Sequence, residues 1–586
     1  MRTSWNLDLV LSKLELKNLK KLRESVITKI EAFHNKWKNN KEYLTDPKVL
    51  KQALDELEDI RANYGFHGKE VYYYWLKKIL NQQDNDTKAK YDQIYHLSVE
   101  LANKIQFFEI NLSKISKETR QKFLNSHALK NYKHYLKRLF QFSDYILSDE
   151  QERILNLKSK TSYENWVDMV DSLLSKQERD VRDEKGNRVK KNFSELLELT
   201  NDKNKKVRDS AAAALNSIFN QYVEIGEFEF NSVLEDKKIS DELRGYKRPD
   251  MPRIIGDDLD EEIVDTLVEV VTENFDISKK YYEKKAKMLG LKKLKYYERN
   301  IPVGELSDKI EFNEAYKLVK KVFTKLDPEF GEIYETFFTE GRVDVFPKKG
   351  KSSGAFCIHV LKASPIYVML NYGDKIENVR VIAHEFGHAL HSFYSIKTQN
   401  ALQCDYPTST AECASTFFED FVTEEVEKKL DEQQKVYLKM MQLGDGVSTI
   451  FRQIAFYNFE KEMHKVKREK GFVSKEEIGR IFRKHMESYM GDFVEQSQDS
   501  ENWWLYISHF RRPFYVYSYA FGALISKALQ RKVRQDKSFI KEIKKFLSSG
   551  GAMSPKEIFM HIGIDISQRT IWEEGIKEMR DELEAL

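Results

Sequence analysis

Proline is missing from two long stretches of this chain: none lies between Pro47 and Pro249, and none between Pro407 and Pro513. A proline inside a helix removes a backbone hydrogen bond and costs about 3 kcal/mol, whereas hairpin-rich β structure uses proline freely in its turns. With 10 Pro and 24 Gly in 586 residues, the chain reads as mainly α. The apolar pattern agrees. From Leu19 onward, Leu22, Val26, Ile30, Phe33 and Trp37 follow three- and four-residue steps, the period of an amphipathic helix. Residues 91–108 and 132–146 repeat the pattern with charges on the opposite face, which predicts helices packed on helices. No self-similar period points to a solenoid.

Composition narrows the function classes. The 97 Lys and Arg nearly balance 94 Asp and Glu, and a net charge of +3 supplies no field that would gather nucleic acid or an anionic membrane. Hydrophobic content of 41% with 12% aromatics is too rich for a disordered chain. No uncharged run is long enough to span a bilayer. Asp8 and Lys13 interrupt the apolar stretch near the start, so it does not read as a signal peptide. Cys357, Cys404 and Cys413 are odd in number and lack Cys-x-x-Cys spacing, which fits neither a disulfide scaffold nor a thiolate metal site. A reducing, cytoplasmic location is expected.

Two segments break the helical pattern. Residues 175–191 are charged, almost without apolar content, and contain a Gly-Asn pair; they predict an exposed turn or hairpin near a boundary. Between Pro302 and Pro365 proline and glycine become frequent, and residues 343–346, 355–360 and 366–370 are short, β-rich and separated by turn chemistry. These predict a small antiparallel sheet, whose edge would either pair with an extended peptide or only brace the next helix.

That next helical pattern contains His384-Glu385-Phe-Gly-His388. Residues four apart lie one above the other on a helix, so both imidazoles can converge on one zinc ion with Glu385 beside it. Chance would produce only about 0.05 copies in a chain of this composition. His391 shares the face but lies roughly 10 Å along the axis from His384, which makes it a neighbour rather than a ligand. The next helical segment, Pro407-Thr-Ser-Thr-Ala-Glu412, offers Glu412 as third ligand; alternatively Ser409 and Glu412 form a capping box at the helix start. Glu419, two turns further on, either hydrogen-bonds a ligating imidazole or faces solvent.

The runs HEFGHALHSFYS (384–395) and AECASTFFE (411–419) resemble the zinc site of the thimet oligopeptidase and oligoendopeptidase F family. SWNLDLVL near the start, FSELLELTNDKNKKVRDSAAAAL from Phe193, KMLGLKKL, GRVDVFPKKGKSSGAFC and IYVMLNY are similar to the oligoendopeptidase F branch. The resemblance implies two helical lobes flanking a deep channel, one Zn2+ per chain held by His384, His388 and Glu412, and short oligopeptides as substrates. It also implies an N-terminal helical lobe over residues 1–190 and a catalytic region over 191–586.

Peptide hydrolysis needs a base for the attacking water and donors for the developing oxyanion. Glu385 is the candidate base. The segment from His509 to Gly522 carries Tyr515, Tyr517 and Tyr519, which on composition alone reads as an aromatic core strip. The resemblance assigns His509, Tyr519 and Tyr515 to the substrate carbonyl, with Tyr517 ranked last. Phe514 stands where the family also has Tyr. Residues 548–555, with Gly550 and Gly551, form either a mobile rim or an ordinary helix connection. The leading function is a zinc endopeptidase for oligopeptides, with no nucleic-acid or membrane partner. The alternatives are a helical zinc carboxypeptidase and a catalytically silent peptide-binding scaffold.

Overall fold

The computed structural model describes residues 1–65, 68–306, 309–496 and 498–586. It is 71% helical with only small sheets. Helix α1 (Leu19–Trp37) buries Ile30, Phe33 and Trp37, continuing the stripe visible in the sequence. Helix α2 (Pro47–Asn63) starts where the Asp46 carboxylate accepts the Lys48 N–H at 2.7 Å, with Pro47 placed where its missing N–H is not needed. Helix α3 (Asn85–Ile105) is capped by Asp84 through the Thr87 N–H at 2.9 Å. Their apolar faces share one core with Phe108, Phe123, Leu136 and Phe140. Each fully buried Leu or Phe there contributes about 1.5–3 kcal/mol.

Residues 175–191 do hold a hairpin. Strands β1 (Glu178–Arg182) and β2 (Arg188–Asn192) pair antiparallel, and Gly186 supplies the left-handed φ of +85° that the turn requires. The hairpin lies on α4 (Lys205–Arg244): the Arg182 N–H reaches Ser210 Oγ at 3.0 Å and Arg179 Nη2 reaches Gln221 Oε1 at 2.7 Å. Helix α4 runs 40 residues, from Asn204 as N-cap to Gly245 in the left-handed conformation, and lies wholly within the first proline-free stretch.

Further along come β3 (Leu294–Lys295), β4 (Val343–Asp344), β5 (Phe356–Ile358) and β6 (Tyr367–Met369). The last three form one sheet with β6 central, antiparallel to β5 as expected and parallel to β4. The start of the chain packs on this sheet: Trp5 Nε1 donates to Val368 O at 2.9 Å and the Tyr367 hydroxyl to Asn6 O at 2.7 Å. Later helices include α5 (Ile376–Thr398), α6 (Thr408–Glu427), α7 (Arg452–Lys470) and α8 (Tyr517–Gln535). Strand β7 (Val494–Glu495) pairs parallel with β3.

The chain forms two compact units interleaved in sequence. One comprises Met1–Asp144, Ser307–Lys429 and Leu529–Asp565, and holds the α1–α3 core, the β4–β6–β5 sheet, α5 and α6. The other comprises Tyr145–Leu306, Leu430–Ala528 and Ile566–Leu586, and holds the hairpin, α4 and α7. Within the first unit the Gly550-Gly551 segment is a packed connection. The Gly551 N–H donates to Gln403 O at 2.8 Å, while Thr398 Oγ1 and Gln399 Nε2 at the end of α5 donate to Ser548 O at 2.6 and 2.7 Å.

Candidate metal centre

Helix α5 is anchored by its apolar face. Phe386 packs on Tyr334 and Phe338 with ring centroids 4.4 and 5.5 Å apart, while His384 and His388 project from another face with rings 5.0 Å apart. Gly387, between them, permits the next step. A Cβ at this position would lie 2.6 Å from Ser415 Cα and 2.7 Å from Ala414 O, so the backbones of α5 and α6 touch. That approach carries Glu412, one turn into α6, to the two histidines. Gly387→Ala is therefore expected to force the two helices apart, costing about 1–3 kcal/mol of stability and weakening metal affinity. Thermal unfolding and a zinc titration check it; an unchanged midpoint and affinity would contradict the close-contact role.

Where α6 begins decides what Glu412 does. Pro407 is the N-cap residue, in an extended conformation, so Ser409 already lies inside the helix. Ser409 Oγ is buried without a hydrogen-bond partner among the described residues, and no capping box with Glu412 forms. Instead Glu412 Oε2 stands 3.7 Å from His384 Nε2 and accepts the Ser415 hydroxyl at 3.1 Å. Ligand atoms of His384, His388 and Glu412 all lie within 4.8 Å of one another. Tetrahedral zinc with bonds of about 2.0–2.1 Å separates its ligand atoms by roughly 3.3 Å, so a small contraction would seat the ion. Two imidazoles and a carboxylate are the kind of donor set that catalytic zinc uses, its fourth position being left to water or substrate.

Electrostatics favour a cation here. Burial opposes protonation of His384, yet the Glu419 hydrogen bond and the carboxylates of Glu419, Glu412 and Glu385 outweigh it and raise its pKa to about 9. His388 goes the other way: burial, then the neighbouring His384, lower its pKa to about 3, which keeps its lone pair free. Glu419 is turned inward. Its Oε2 lies 3.2 Å from His384 Nδ1, leaving Nε2 for the metal, and its Oε1 accepts Arg380 Nη2 at 2.6 Å.

Glu385 is buried, and its Oε2 finds no hydrogen-bond partner among the described residues. Burial, with Glu412 and Glu419 adding to it, raises its pKa to about 7 against the opposing pull of His384 and the Cys357 N–H. That N–H is available because of the sheet register. Cys357 sits opposite Val368, whose own N–H is spent on Arg342 O at 2.9 Å on the β4 side, so Cys357 points its N–H out of the β5 edge. At this residue the edge braces Glu385. His391 is buried and stacked on Tyr406 with ring centroids 3.6 Å apart, outside the cluster of His384, His388 and Glu412.

The other unit gathers His509, Tyr515 and Tyr519, whose rings lie 5.4, 5.9 and 5.8 Å apart pairwise. Tyr515 shares a hydrogen bond with His509 Nδ1. Burial and then Arg452 lower the His509 pKa, favouring the neutral ring. Tyr517 stands apart, fully buried with its hydroxyl donating to Asp257 at 2.6 Å. Phe514 is buried too.

Sequence reasoning missed three contributors. Arg380 lies four residues before His384, a spacing that could have drawn attention to it. The Cys357 N–H and the Gly387 contact leave no side-chain signature.

A mainly helical chain presenting a His-Glu-x-x-His helix and a third carboxylate from the next helix has the layout of a metallopeptidase. The sequence profile of Peptidase family M3 matches residues 198–578, and that of Oligopeptidase F matches residues 111–176. The chain belongs to peptidase family M3. It is 26% identical to the oligoendopeptidase F homolog of Borreliella burgdorferi over 96% of this chain and 95% of that one. It is also 26% identical to an oligoendopeptidase F homolog of Lactococcus lactis, over 89% and 88%. Its fold matches the crystal structure of oligoendopeptidase-F from Enterococcus faecium with a TM-score of 0.70, at 20% identity and covering 98% of each chain. Membership of this family makes the chain a metallo-oligopeptidase.

Proposed function

We propose that the protein is a zinc-dependent endopeptidase that cuts internal bonds of short oligopeptides. The observation that carries this reading is the convergence of His384, His388 and Glu412 beside the buried, unpartnered Glu385 Oε2. When bound there, one zinc ion would polarise the substrate carbonyl and acidify water near neutral pH. Glu385, with a pKa of about 7, takes the proton of the attacking water and returns it to the leaving amine. Glu419 holds His384 in the tautomer that presents Nε2, and Arg380 holds Glu419. His509, Tyr519 and Tyr515 supply neutral donors to the carbonyl oxygen as its charge develops.

The functional division is that of the family: residues 1–190 are the N-terminal lobe of oligoendopeptidase F type, and 191–586 the catalytic region. The two matching profiles, at 111–176 and 198–578, support it by falling on either side. Oligopeptides are the partners, with neither nucleic acid nor membrane involved, as the net charge of +3 supports. Among the described residues no helix is long and apolar enough to cross a membrane. Three free thiols support a cytoplasmic setting.

An internally quenched peptide blocked at both termini tests the reading. An endopeptidase cleaves it; a carboxypeptidase needs the free C-terminus and leaves it intact. If zinc-loaded protein cuts neither this peptide nor its unblocked counterpart, a silent peptide-binding scaffold is left.

A further inference from the structure

Among the described residues three non-glycine residues have a left-handed φ: Asp258, Asp374 and Phe514. A short carboxylate tolerates that conformation through local hydrogen bonds, but an aromatic side chain does not, so Phe514 must be held there by its surroundings. Three residues of one helix hold it. The Phe514 ring packs against Tyr457 and His464 of α7, with centroids 5.7 and 4.8 Å away, and its N–H donates to Glu460 Oε1 at 3.0 Å. Tyr457, Glu460 and His464 are spaced three and four residues apart and share a face of α7.

Glu460 is 2% exposed. Its Oε2 finds no hydrogen-bond partner among the described residues, so the Phe514 N–H is its one bond. A buried carboxyl that pairs with no cation among the described residues and serves a single strained backbone position has a local task. Directly after the strained residue comes Tyr515, whose hydroxyl meets His509 Nδ1.

We propose that Glu460 is a positioning residue: by holding Phe514 in its left-handed conformation, it aims the Tyr515 phenol at His509. The proposal rests on the reading of Tyr515 as a donor to substrate. Burial pushes the Glu460 carboxyl well above the usual range, and glutamine, which keeps a side-chain carbonyl to accept the Phe514 N–H, is the close mimic. Removing the acceptor releases the turn, and Tyr515 then samples other directions.

The test compares Glu460→Leu, Glu460→Asp and Glu460→Gln with Tyr515→Phe in zinc-loaded protein. Aspartate is one methylene too short to reach the Phe514 N–H and serves if the leucine variant does not fold. The first readout is the 15N shift of the His509 imidazole. It is expected to move in Glu460→Asp and Glu460→Leu toward its value in Tyr515→Phe, and to stay at the parent value in Glu460→Gln. The second is a double-mutant cycle in kcat. Glu460→Asp is expected to lower kcat about tenfold with little change in KM, and to add no further loss on top of Tyr515→Phe. A His509 signal unmoved in both the aspartate and leucine variants, or losses that multiply in the cycle, would overturn the proposal. If Tyr515→Phe alone leaves kcat unchanged, the donor role of Tyr515 fails, and the nitrogen shift still decides the positioning.

Discussion

Glu385→Gln is expected to keep its metal and lose about 10²–10⁴-fold in kcat, the range that a positioned general base supplies. The candidate ligand atoms belong to His384, His388 and Glu412, so the substitution leaves them untouched. Glutamine keeps the carbonyl oxygen that accepts the Cys357 N–H and removes only the ability to take up a proton. Its effect on stability has a calculable sign. Burial raises the Glu385 pKa from 4.5 to about 7, so in metal-free protein ionising this carboxyl disfavours the folded state. That penalty is absent below pH 4.5, grows as pH rises, and is complete above pH 7. Metal-free Glu385→Gln should therefore melt higher than its parent above pH 7, with the difference fading as pH falls toward 4.5. Turnover within threefold of the parent would remove Glu385 from the mechanism.

The second large effect is expected at Glu412. Replacing it by alanine removes one of three ligands and should weaken zinc binding by at least about a hundredfold, beyond the 10–100-fold typical of groups that only orient a ligand. A helix-cap role predicts the opposite pattern, with metal retained and about 1 kcal/mol of stability lost. Since Pro407 is the N-cap residue and Ser409 makes no bond to Glu412, the helix should persist in the alanine variant. Metal content after dialysis, read beside far-UV circular dichroism, separates the two. Full zinc occupancy in Glu412→Ala would take this residue out of the ligand set.

His384, Glu385 and His388 were legible because a four-residue step on a helix is local geometry, and the helical character of the chain because proline is costly inside helices. Glu412 was legible as a candidate, but its competing role as a cap turned on which residue begins α6. The spacing of residues 409–412 is compatible with either. The sheet shows the same limit: short β-rich runs mark β4, β5 and β6, whereas the parallel pairing of β4 with β6 depends on how distant segments meet. Gly387 was invisible as a contact because its significance lies in the absence of a Cβ against another helix. Cys357 acts on Glu385 through a backbone N–H, which any residue but proline would supply. Glu460 carries no motif at all; its importance arises from a strained residue on a different segment. Sequence conveys ligand chemistry at fixed spacing well here, and conveys poorly how each ligand is held.

Metal held by His384, His388 and Glu412 is expected to drive internal cleavage of oligopeptides. This is tested most directly by mass spectrometry of a mixed peptide library digested by three samples: zinc-loaded protein, the same protein after chelation, and the chelated protein with zinc restored. Products cut at internal bonds are expected in the first sample, none in the second, and the same cuts again in the third. Internal cleavage that survives chelation, or products formed only by loss of C-terminal residues, would contradict that expectation.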